Sequence, residues 1–251
     1  MRSAASFAIV LALAGARPGP AEILPTILEQ AKKDATALFT IDNPPSATEL
    51  GLGLAALGLL AAGDQHLSLE GQRHLPSWLD HFNVGGEVGT TNIASVVLVG
   101  GGLLLGEHRG TVAGLTLFEG NVLLDLVLNA SKSAFGRARP NQPHAGDFRQ
   151  GGDSFPSSHA AHAFMIAAVL DAAVERPAWR WVFYPLASGV ALARIEGGFH
   201  FPTDVAVGGL LGWWIGHRLS VAHGLDEQPG KLHLSVVPVK GGASVIASVA
   251  W

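Results

Sequence analysis

The sequence predicts an all-α protein, a single six-helix bundle carrying a short C-terminal β-hairpin, and three observations support that reading. Hydrophobic residues make up 48% of the 251-residue chain and charged residues only 14%, which is apolar for a single domain of this length. Six apolar segments, at roughly 46–62, 92–106, 111–130, 160–174, 178–193 and 204–219, are separated by polar or Gly/Pro-bearing stretches. The tail from Leu232 to Trp251 alternates apolar and small polar residues about Gly241-Gly242, the pattern of two strands and a turn.

Taken in order, residues 1–16 read as an export signal. Arg2 gives a basic start, Ala4 to Ala14 an apolar stretch too short to span a bilayer, and Ala14-Gly15-Ala16 a small-residue cleavage site. Residues 17–45 form an amphipathic N-terminal segment. Leu24, Ile27, Leu28, Ala31, Ala35, Leu38 and Phe39 recur at helical spacing with Glu29, Lys32, Lys33 and Asp34 between them. A helical domain over 46–222 follows, and its last helix repeats glycine at Gly208, Gly212 and Gly216, a smooth ridge for close packing. Residues 223–251 are the tail with the hairpin, kept near an edge by Pro238.

Composition excludes several chemistries. The absence of cysteine rules out disulfides, thiolate catalysis and Cys-ligated metals. A formal net charge of -4 gives no basic surface for nucleic acid. An anion site, if present, is local.

Two connections, 131–159 and 194–203, concentrate basic residues and the two most telling histidines, His159 and His200. In the first block, Lys132-Ser-Ala-Phe-Gly-Arg-Ala-Arg139-Pro140, the spacing of seven puts Lys132 and Arg139 on one face if the helix continues. An arginine fork beside a lysine point charge suits a phosphoryl group; a helix end facing water or headgroups is the alternative. The second block, Gly151-Gly-Asp-Ser-Phe-Pro156-Ser157-Ser158-His159, sets capping residues and free backbone N–H groups before an apolar helix, which either binds an anion or is an ordinary cap. His162 reads as structural.

In the third block, Arg194-Ile-Glu-Gly-Gly-Phe-His200-Phe-Pro202-Thr203-Asp204, a carboxylate four residues after a histidine can fix its tautomer and leave the other ring nitrogen for attack. A structural hydrogen bond is the alternative. Half a metal site is disfavoured, because no second histidine stands at ligand spacing and the nearby basic residues repel a cation.

Together the three blocks resemble the type-2 phosphatidic acid phosphatase superfamily, whose pattern is K-x6-R-P, then P-S-G-H, then S-R-x5-H-x3-D. The resemblance covers roughly residues 92–219 and implies an all-helical core with the site at one end of the bundle. It implies that Lys132, Arg139 and Arg194 bind phosphate with Ser157 and the Ser158 and His159 amides. It also implies that His200 is the nucleophile oriented by Asp204, and that His159 is the acid for the leaving group. No cofactor and no metal follow from it. Ser158 stands where the family has glycine, and Ala193 where it has serine.

The implied activity is a metal-independent phosphatase, on lipid or isoprenoid phosphates or, as a soluble periplasmic alternative, on small phosphomonoesters. A vanadate haloperoxidase uses the same kind of site, and a non-catalytic membrane bundle would make the blocks coincidence. Location follows from opposing signs. Glu119, Asp125 and Asp171 interrupt the apolar runs, which is costly in lipid. A mean hydropathy of +0.33, and Arg109, Arg176 and Arg218 in the connections opposite the site, favour a membrane-associated bundle with the site facing the periplasm or outside. Three spans before Lys132 would conflict with a cleaved signal, since they would leave that residue inside. The sequence is silent on oligomeric state.

Overall fold

The computed structural model describes residues 32–34, 36–40 and 46–225, and the backbone of 232–239 and 242–249. The expected signal over 1–16 lies outside the described residues, as does most of the amphipathic segment; its positions 32–34 and 36–39 are helical.

The main helices are α1 (Ala47–His74), α2 (Val88–Leu105), α3 (His108–Phe135), α4 (Ser158–Ala173), α5 (Arg180–Glu196) and α6 (Pro202–Ala222). Two 3-10 helices, Ser77–Gly86 and Pro177–Trp179, lie in connections. Among the described residues from Ala47 to Ala222 there are thus eight helical elements, not the six expected. The extra two are i→i+3 helices in Pro- and Gly-bearing connections, ten residues at Ser77–Gly86 and three at Pro177–Trp179. Beyond Leu225 only the backbone of Leu232–Val239 paired antiparallel with Gly242–Val249 is described.

Local chemistry sets the boundaries. Ser46 caps α1 in a reciprocal box, the Glu49 N–H reaching Ser46 Oγ at 3.2 Å and Ser46 N–H reaching Glu49 Oε2 at 2.7 Å. Gly106 and Gly136, at φ 69° and 54°, end α2 and α3 in the left-handed conformation that glycine adopts without strain. Pro202 opens α6.

Helix α4 is the central element. Ala161, Met165 and Val169 pack with Leu117, Leu124 and Leu128 of α3 and with Ile215 and Leu219 of α6, while Ala163 and Ala167 pack with Ala187 and Val190 of α5. The glycine ridge of α6 lies directly on α4. A Cβ added at Gly208 would sit 2.3 Å from Ser157 O, and at Gly212 only 1.8 Å from Ala161 O, so the two backbones meet where any side chain would clash.

Helices α1, α2 and α3 are long and apolar enough to cross a membrane, by length and composition. Only 6% of the α1 window and 17% of the α2 window are buried inside the protein, leaving Leu52, Leu54, Leu59, Ile93, Val96 and Leu104 exposed. Helices with so little protein contact present that apolar surface to lipid. The chain is membrane-associated.

Candidate active site

The three blocks converge at one end of the bundle, where α3 ends, α4 and α6 begin, and α5 gives way to the loop before α6. Lys132 is half-buried in the last turn of α3. The shared helical face expected for Lys132 and Arg139 does not form, because α3 stops at Phe135 and Gly136 turns the chain. Arg139 instead lies on the returning loop, where its Nε and Nη2 donate to the two carboxylate oxygens of Asp153, each at 2.8 Å. Lys132 still feels the charges of Asp153, Arg139 and Arg194, so the cations belong to one cluster.

Ser157 caps α4 and accepts from Ala160 N–H, while its own N–H donates to Asp204 O at 3.0 Å. Ser158 and His159 form the first turn of α4, with half-buried side chains. Burial pushes His159 down to about 4, and the neighbouring charges of Arg194, His200, His162 and Lys132 push the same way. Gly86 lies against it, since a Cβ there would be 2.5 Å from His159 O.

Arg194 is buried at the end of α5. Its Nη1 donates to Asn83 Oδ1 at 3.0 Å and its guanidinium lies 4.2 Å from the Phe199 ring centre. Its Nε has no hydrogen-bond partner. Burial, then the charge of Arg139, lowers Arg194 to about 10. A buried guanidinium with an unused donor, among cations that repel one another, has the electrostatics of a site that takes an anion.

His200 is 2% exposed. Its Nδ1 donates to the carbonyl oxygen of Ser154 at 2.7 Å; Asp204 Oδ2 is farther, at 3.7 Å. A carbonyl only accepts, so Nδ1 carries the proton and Nε2 keeps its lone pair. Burial, only partly offset by Asp204, holds His200 below the ordinary imidazole range, which keeps it neutral.

Asp204 is fully buried and held by three donors. Arg137 Nη1 reaches Oδ1 at 2.7 Å, and Ser154 Oγ and Phe201 N–H reach Oδ2 at 2.5 and 2.8 Å. The expected direct His200–Asp204 hydrogen bond is thus replaced by a relay through Ser154. Its carbonyl fixes the imidazole while its hydroxyl binds the carboxylate.

Sequence reading missed this support. Arg137 also donates to Asp64 Oδ2 at 2.8 Å, Thr203 Oγ1 at 3.0 Å and Gly146 O at 3.1 Å, and Asp64 accepts from Thr203 N–H at 2.9 Å. Asp64 lies in α1, far away in sequence, so no local spacing announces the pair. His162 turns to α3, with Nε2 3.3 Å from Asp125 Oδ1 and Nδ1 2.8 Å from Ser158 O.

An apolar cavity of about 300 Å³ lies between α2, α4, α5 and the 3-10 segment, lined by Phe82, Val84, Ala163, Phe183, Leu186 and Val190. The same 3-10 segment supplies Asn83 to Arg194 and Gly86 to His159, so one short element borders both the polar and the apolar compartments.

Comparison with known proteins matches residues 113–225 to the family described as PAP2 superfamily. The Bacitracin transport permease protein BcrC of Bacillus licheniformis is 34% identical over 35% of this chain and 46% of its own length. A Lipid A 1-phosphatase of Porphyromonas gingivalis is 33% identical over 38% of this chain and 22% of its own length. The chain thus spans less than half the length of these curated relatives. The crystal structure of Aquifex aeolicus LpxE is similar over 63% of this chain and 94% of that one, at 25% identity and a TM-score of 0.48.

Proposed function

From the match of residues 113–225 to the PAP2 superfamily, we propose that the chain is a phosphatase of lipid or isoprenoid phosphates that works without a catalytic metal through a phosphohistidine on His200. The observation that carries this is the clustering of Lys132, Arg139 and Arg194, with Arg139 and Arg194 acting on a neutral, tautomer-fixed His200. Phosphate seated among these cations takes up the free Nε of Arg194 and competes with Asp153 for Arg139. The N-terminus of α4, with the Ser158 and His159 amides, adds donors and a favourable dipole.

In the first step, Nε2 of His200 attacks phosphorus in line and the bond to the alkoxide breaks, with equatorial charge held by the cations. His159 gives its proton to the alkoxide. In the second step, His159 takes a proton from water, which attacks the phosphohistidine and releases inorganic phosphate. His159, at about 4 in the free protein, acquires its proton when the anion arrives, because that anion offsets the cations that hold it down.

A lipid substrate is supported by the apolar cavity that shares the 3-10 segment with the site, by the lipid-facing α1 and α2, and by the name Lipid A 1-phosphatase carried by two relatives. An outward-facing site agrees with Arg109 beginning α3 at the end away from Lys132. The test is phosphate release by the detergent-solubilised protein from a diacyl lipid phosphate and from a soluble phosphomonoester. Preference for the lipid by an order of magnitude or more in kcat/KM is expected; equal or better turnover of the soluble ester contradicts the lipid reading.

A further inference from the structure

Asp34, Glu119 and His223 meet at the far end of the bundle. Glu119 precedes Lys132 by 13 residues in α3, about 20 Å of helix at 1.5 Å per residue, and His223 follows the C-terminal end of α6. His223 Nε2 lies 3.3 Å from Asp34 Oδ1 and 3.4 Å from Glu119 Oε2, and one donor atom from each residue falls within 4.8 Å of the others. The mechanism uses none of the three.

Hydrogen bonding fixes the state of the histidine. Thr116 Oγ1 lies 2.8 Å from Val112 O and 2.7 Å from His223 Nδ1. Its single proton goes to the carbonyl, so the hydroxyl accepts from His223 Nδ1–H. The remaining nitrogen, Nε2, then presents a bare lone pair toward two carboxyl groups. The imidazole is 1% exposed, and Nε2 has no hydrogen-bond partner. A metal-binding imidazole is held in this way, its second nitrogen bonded to an acceptor that sets tautomer and orientation.

We propose that Asp34, Glu119 and His223 bind a divalent cation of the zinc class, which staples residues 32–34 and 36–40 to α3 and α6. Ligand bonds of 2.0 to 2.2 Å around a tetrahedral ion separate the donor atoms by about 3.4 Å, the spacing that Nε2 keeps from both carboxylates. A proton on Nε2 fits less well, since N–H···O bonds favour about 2.9 Å. Charge agrees: two carboxylates and a neutral imidazole balance a 2+ ion, and such balance is what permits Glu119 inside an apolar helix. Sharing one proton between Glu119 and Asp34, which are hydrogen-bonded to each other, is the competing state. The staple would reinforce Arg218, whose Nε donates to Ala37 O at 2.8 Å.

The test uses tag-free, full-length protein in detergent. Metal content is measured as purified, and thermal unfolding of the chelator-treated protein is followed while Zn²⁺, Mn²⁺ or Mg²⁺ is added. Expected are about one zinc per chain and a saturable rise in Tm with Zn²⁺ that Mg²⁺ does not reproduce. Glu119→Gln and His223→Gln should abolish the rise, and Thr116→Val should weaken zinc affinity about 10- to 100-fold through the lost tautomer control. His159→Ala and His200→Ala should leave it intact. The proposal is overturned if wild-type protein gives no Zn²⁺-dependent rise at millimolar zinc. It is equally overturned if the rise persists in both Glu119→Gln and His223→Gln, or disappears in His159→Ala or His200→Ala.

Discussion

His200 Nδ1 sits 2.7 Å from the carbonyl oxygen of Ser154 and 3.7 Å from the nearest oxygen of Asp204. The backbone, rather than the carboxylate, sets the tautomer. Asp204 acts one step removed, by fixing the Ser154 hydroxyl and the start of α6.

Asp204→Asn should therefore keep the productive tautomer and lose mainly electrostatic support and positioning. We expect kcat to fall about 100-fold, some 2.7 kcal/mol, against about 10⁴-fold where a carboxylate alone holds the imidazole. Steady-state kinetics beside His200→Ala decides this. An Asp204→Asn loss as deep as that of His200→Ala would show that the carboxylate grips the ring directly during turnover.

The pH dependence of anion binding should report His159. Its folded, unliganded value is about 4, lowered by burial and by the cations around it. A bound anion raises that value, so binding takes up a proton. Affinity is then favoured below the raised value and lost as pH rises through it. Inorganic phosphate should inhibit more strongly as pH falls from 8 toward 5, beyond what phosphate's own titration gives, and His159→Gln should remove that excess. An unchanged profile in His159→Gln would place the proton elsewhere.

The α4–α6 contact should tolerate no side chain. Gly212→Ala puts a methyl 1.8 Å from Ala161 O, and overpacking of this kind costs about 1–3 kcal/mol or more. Gly58→Ala, where nothing lies within 4 Å, should change stability by less than about 1 kcal/mol. Thermal unfolding in detergent compares the two, and equal Tm values would mean that the helices move apart freely.

The helices and the cation cluster were legible in the sequence because both are written locally. Apolar runs between Gly/Pro breaks delimit α2 to α6, the repeated glycines of α6 announce its close packing, and Lys132, Arg139, His159, Arg194 and His200 sit in short blocks. What escaped is non-local or carried by backbone. Asp64 reaches Arg137 from 73 residues away, Ser154 acts through a carbonyl that every residue possesses, and Asn83 reaches Arg194 from 111 residues away. The helical face shared by Lys132 and Arg139 failed at one residue, Gly136, whose left-handed φ of 54° ends α3. Asp34, Glu119 and His223 lie so far apart in the chain that only the fold reveals their meeting.

Arg137 should matter more for folding than its place in a loop suggests. Its side chain, 7% exposed, bridges Asp64 and Asp204. Removing one partner of a buried ion pair leaves uncompensated charge and costs about 3–5 kcal/mol. Arg137→Met should lower Tm sharply and reduce activity with it. A variant with wild-type Tm would mean that water reaches and satisfies both carboxylates.

The central claim is covalent chemistry at His200, and its direct measure is the phosphoenzyme trapped from a lipid phosphate with a radiolabelled phosphoryl group. The expected label is stable in alkali, labile in acid, maps to His200 and is absent from His200→Ala. An acid-stable label, or a label that survives in His200→Ala, would contradict it.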